Sequence, residues 1–200
     1  VREFNDAAKK SLKFAVLIST PLVVYFMIYA KSSINLLSGK AYEGAVVPMQ
    51  IIMPTILFIG ITNVLGMQIL VPMKKENVVL ISECAGAVTD FVLNLLWIPR
   101  FSAAGAAMGT LVAELVVLVV QYVALREMVL PMVKRLEIRK VVLSAIAAIL
   151  AVSWLENGRY SSFYTILISS VIFFGTYFFL LLAQKEYLTI DVVRQILKKK

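Results

Sequence analysis

The sequence predicts an all-α, polytopic transmembrane helix bundle. Three observations carry that reading. Of the 200 residues, 60% are hydrophobic and 16% are charged, where soluble domains carry about 25% charged residues, and mean hydropathy reaches +0.88. Apolar stretches of about the twenty residues needed to cross a bilayer recur along the chain. No alternating strand pattern accompanies them, and hydrocarbon offers bare backbone no partner, so the stretches must be helices.

Six spans are expected, beginning with Leu12 to Ala30. The opening VREFNDAAKKSLKF reads as a cytoplasmic connector running into that first helix. Ala30 is followed by KSSINLL, without a small-residue cleavage pattern, so the span is not a signal peptide. A start at Val1 instead of methionine suggests a fragment lacking its upstream part. The second span, Val46 to Val71, contains Pro48 and Pro54, is followed by Pro72, and carries Gly60, Gly66, Asn63 and Gln68. Such a helix is expected to be kinked or broken, as transporters use interrupted helices to build sites and hinges.

The third span, Val78 to Ile98, contains ECAGAVTDFVLN. At roughly 100° per residue, Asp90 and Asn94 each fall within about 20° of Glu83, forming one polar stripe. The fourth span, Ala103 to Leu125, opens with Gly105, Gly109 and Ala113 at four-residue spacing, a small-residue ridge that lets another helix approach closely. Gly86 is a further packing candidate. Glu114 and Gln121 lie seven residues apart on the same helix, with Thr110 on their side and Gly105 almost opposite Glu114, so one face is expected to pack while another meets something polar. The fifth and sixth spans are Val141 to Leu155, which is short, and Phe163 to Ala183. The organisation is a connector over 1–11, four spans over 12–125, a basic loop over 126–140, two spans over 141–183 and a basic tail over 184–200.

Lysine and arginine divide unevenly between the two sides of this arrangement. The side holding both termini carries sixteen, including Lys9, Lys10, Lys13, Lys74, Lys75, Arg126 and Lys140; the other carries Lys31, Lys40, Arg100 and Arg159. The positive-inside rule therefore places both termini in the cytoplasm. The net charge of +8 follows from this interfacial placement and argues against nucleic acid as a partner. With no histidine and one cysteine, Cys84, metal and disulfide chemistry have little to work with. The loops offer no clustered nucleophile or base, so no catalytic residue, metal or cofactor is expected and the chain is read as a non-enzyme.

The connection IPRFSA makes spans three and four antiparallel neighbours. Asp90 and Glu114 then lie at similar depth near the middle of their spans and could share a cavity. A carboxylate there costs about 2.5 to 3.5 kcal/mol on the insertion scale, so such residues face a bundle interior or a watery pathway. Asp90, Asn94, Glu114, Gln121, Asn63 and Gln68 are the candidate cavity or ion-coupling residues. Pro54, Gly60, Gly66, Gly86, Gly105 and Gly109 are the packing or hinge candidates.

The run that begins YEGAVVPMQ at Tyr42 continues through GMQILVP and its basic turn, Gly86–Ala87, Leu93–Asn94, Ile98–Pro99 and GAAMGTLVAE at Gly105 to Glu114. It resembles the C-terminal half of bacterial polysaccharide flippases of the multidrug, oligosaccharidyl-lipid and polysaccharide exporter superfamily. The resemblance covers about residues 9 to 127 and rests on the pattern as a whole. Asp90 stands where asparagine is usual in that family, and Ser102 where glycine is common. The resemblance implies a two-lobed protein of twelve to fourteen helices that flips lipid-linked sugar repeat units across the cytoplasmic membrane by alternating access. The partners it implies are membrane lipid, a lipid-linked oligosaccharide substrate and an N-terminal lobe of the same protein. A multidrug exporter of the same fold is the nearer alternative; an integral-membrane lipid- or sugar-processing enzyme, or an assembly subunit, is the more distant one.

Overall fold

A computed structural model describes residues 2–134, 137–156, 161–184, 186 and 189. Among the described residues the chain is helical, without strands. Helix α1 (Arg2–Ile28) breaks at Tyr29 into the short α2 (Ala30–Leu37). A 3₁₀ turn (Lys40–Ala45) leads into α3 (Val46–Ile52), followed by α4 (Thr55–Asn63) and a π-helical segment (Val64–Leu70). The long hairpin α5 (Glu76–Phe101) and α6 (Ala103–Lys134) comes next. Helices α7 (Ile138–Val152) and α8 (Ser162–Ala183) complete the described bundle.

Four helices, α1, α5, α6 and α8, are long and apolar enough to cross a membrane. The pair Lys40–Ile52 and Thr55–Leu70, bent by 41°, forms a fifth crossing if it is one broken span. The fifth expected span is present as α7, but its 15 residues reach only about 22 Å, short of a hydrocarbon core of about 30 Å. Helix α6 continues through Lys134, so the first part of the expected 126–140 loop extends the helix. Arg135, Arg159, Lys185 and the basic residues of the tail from Arg194 onward lie outside the described residues.

The expected break in the second span falls at Pro54. Proline has no N–H and its ring crowds the carbonyl four residues back, which stops a helix from running through unbent. Here Ile56 N–H turns to the Met53 carbonyl, and the Thr55 hydroxyl donates to the Ile52 carbonyl at 2.6 Å. The Gln50 amide donates to the Met27 carbonyl at 3.0 Å, tying the bent span to the end of α1.

Two apolar clusters hold the bundle. One joins α1, the π-helical segment and α6 through Leu12, Leu65, Ile69, Leu70, Leu125 and Val129. The other joins α1 to α7 and α8 around Tyr25, Tyr29, Ala148, Phe173 and Tyr177. Its buried tyrosines reach backbone: Tyr25 donates to the Ile166 carbonyl, Tyr29 to Val152 and Tyr177 to Leu17. In a setting without water, each such hydroxyl needs a protein acceptor.

One end of the bundle carries an ion cluster. Lys13 of α1 pairs with Glu137, just before α7, and with Glu186, beyond α8. Glu137 also pairs with Lys140. Burial works against the charge on Glu186, but Lys13 and the backbone and hydroxyl donors of Thr189 outweigh it and hold the carboxyl below its ordinary 4.5. A depressed folded-state pKa contributes stability above the unfolded value and loses it as pH falls through the folded one. Glu186→Gln should therefore lower the melting temperature at neutral pH, and the gap to the parent should begin to narrow below about pH 4.5 and close as pH falls through the lower folded-state value. A gap that persists in acid would mean that the carboxylate charge is not what anchors this segment.

Candidate functional site

Helices α5 and α6 form an antiparallel pair joined by a turn at Ser102. There the backbone has φ 49° and ψ −128°, a conformation in which a Cβ is strained and glycine is favoured.

From that turn, Asp90 is 11 residues back from Phe101 and Glu114 is 11 residues on from Ala103 (101 − 90 and 114 − 103). At 1.5 Å per residue both lie about 16 Å from the turn, near mid-membrane. They line one cavity of about 230 Å³, whose wall also includes Glu83, Thr110, Gly86 and Ala113.

The two carboxylates are held differently. Asp90 accepts hydrogen bonds from Thr110 at 3.2 Å and from the Asn94 amide at 3.0 Å. Glu114 makes no hydrogen bond or ion pair among the described residues, leaving its carboxylate facing the cavity. Gly109 sits against the Asn94 and Asp90 side chains, Gly86 against Val117, and Gly105 against the Trp97 backbone. Packing and polar faces are thus less separate than the helical wheel suggests. The glycine ridge of α6 seats the Asp90–Asn94 part of the stripe on α5, while Glu114 lies on the cavity side.

The other candidate residues are elsewhere. Gln121 is fully buried and donates to the Ser82 hydroxyl at 3.1 Å, beside Gly66 of the π-helical segment. Asn63, Gln68 and Gly60 line a separate groove of about 470 Å³ with Lys10 and Phe14 of α1. Pro54 lies at the bend described above. No group of three or more potential ligands stands close enough to hold a metal ion among the described residues. Sequence reasoning left Ser82 and Thr110 out of the candidate set; their spacing from Asp90 and Gln121 across the hairpin was the available signal.

The chain is 23% identical over 201 residues to a protein of Methanocaldococcus jannaschii described as an uncharacterized membrane protein. The match covers 99% of this chain and 39% of that protein, so the chain spans about two-fifths of that relative's length. The chain is a multi-pass membrane protein. No family model matches it, and no solved structure does.

Proposed function

We propose that the chain forms part of a flippase that moves lipid-linked oligosaccharide or polysaccharide repeat units across the cytoplasmic membrane by alternating access. The observation that carries this reading is the mid-depth cavity between α5 and α6, with the unlatched carboxylate of Glu114 beside the hydrogen-bonded Asp90. Carboxylates at that depth normally serve a pathway or a coupling ion. The resemblance over residues 9 to 127 supplies the substrate class.

No covalent chemistry is needed, because the barrier is passage of a polar headgroup through hydrocarbon, and a polar cavity lowers it by standing in for water. An anionic diphosphate makes Asp90 and Glu114 poor direct partners; cation coupling or sugar-hydroxyl binding fits them better. The remaining wall of the pathway comes from an N-terminal lobe of the same protein, and both ends of this chain face the cytoplasm.

The test is restoration of polysaccharide export by the full-length protein in cells lacking their own flippase; a well-expressed protein that restores nothing overturns the reading. Sidedness is checked separately. With Cys84→Ala as background, Ser102→Cys should react with an impermeant thiol reagent from outside the cell. Reaction only after permeabilisation would reverse the orientation.

A further inference from the structure

A further cavity, of about 310 Å³, lies at the opposite end of the α5–α6 hairpin from the Ser102 turn. Its wall includes Met73 and Lys75, from the turn before α5, and Val123, Arg126, Glu127 and Met128 of α6. The turn is fixed by its own backbone: Lys74 N–H bonds to the Val71 carbonyl and Lys75 N–H to the Leu70 carbonyl, each at 2.9 Å. Lys75 is therefore presented by ordered backbone.

Lys13 and Lys140 at the same end are engaged by carboxylates. Lys75 and Arg126 have no carboxylate partner among the described residues, and Glu127 is the acidic member of the wall. Two cations against one anion leave the cleft positive. The rest of this wall is apolar, and exposed Val123, Val119 and Leu115 continue from it along α6 at four-residue spacing. The cleft thus joins a cationic end to an apolar stripe running towards the middle of the membrane.

We propose that Lys75 and Arg126 bind the phosphate of a membrane lipid whose chains lie along Leu115, Val119 and Val123. The combination suits an amphipathic ligand better than a soluble phosphate, which would have no use for the stripe. For a place in the transport cycle the inference rests on the flippase reading: Glu83, in the mid-depth cavity, is 8 residues from Lys75 along α5 (83 − 75), about 12 Å. Binding itself does not depend on that reading.

The experiment uses the full-length protein in phosphatidylcholine nanodiscs, with dioctanoyl phosphatidic acid as the probe and dioctanoyl phosphatidylcholine and inorganic pyrophosphate as comparators. Phosphatidic acid should bind in preference to phosphatidylcholine, and Lys75→Gln with Arg126→Gln should weaken it roughly tenfold or more. Lys75→Arg should retain binding, and Glu127→Gln should tighten it. The positions are exposed, so an unchanged melting temperature will show that the double variant is folded. Unchanged affinity in the folded double variant would overturn the site. Pyrophosphate binding as tightly as the lipid would assign the cleft to soluble phosphate and overturn the lipid assignment. Charge-dependent lipid binding alongside failed export would leave this site standing and remove the flippase reading.

Discussion

On the flippase reading proposed above, replacing Glu114 with glutamine should reduce polysaccharide export by roughly an order of magnitude, equivalent to about 1.4 kcal/mol on the transport barrier, while the protein accumulates normally. Glutamine keeps the size and polarity of the side chain and removes its ionisation. Among the described residues Glu114 faces the mid-depth cavity without a hydrogen bond to replace, so little packing is at stake, and a neutral residue lowers the cost of insertion. Asp90→Asn should be mild by comparison. An amide oxygen at position 90 can still accept from Thr110, and Asn94, whose own oxygen is buried without a partner among the described residues, can turn to accept from the new amide. Export is measured against protein abundance in cells lacking the native flippase. Full export by Glu114→Gln would reject a role for ionisation, and export lost together with the protein would make the residue structural.

Gly105→Ala should destabilise the protein by about 1–3 kcal/mol or more, through a close approach to the α5 backbone in the α5–α6 hairpin. A Cβ there would run into the Trp97 carbonyl and the Ile98 nitrogen. These are backbone atoms, so relief requires moving one helix against the other. Among the described residues, nothing lies within 4 Å of the same position at Gly175 of α8, and Gly175→Ala should be neutral or stabilising by about 0.5–1 kcal/mol. Thermal unfolding in detergent compares the two directly. Similar melting temperatures would show that the hairpin does not depend on close contact at Gly105.

The helical class and the hairpin were legible because their causes are local: long apolar runs, a short turn and small residues at helical spacing. The break at Pro54 was legible for the same reason. Gln121 shows where local reasoning stops. Its seven-residue spacing from Glu114 puts both near one face of α6, yet the π-helical segment packs over Gln121 and buries it against Ser82. That depends on Gly66 letting the amide approach, a tertiary fact. The length of α7 was visible in sequence, but its attachment to α1 through Tyr29 required knowing which helices are neighbours.

A bend in a membrane span frees carbonyls that must find another donor, from a side chain, a neighbouring helix or water. At Pro54 the Ile52 carbonyl, released when Ile56 bonds elsewhere, is taken up by the Thr55 hydroxyl one turn away. At that carbonyl the corner brings its own substitute for solvent. The Ile52 carbonyl keeps that partner whether the corner rests against acyl chains or against a wet pathway.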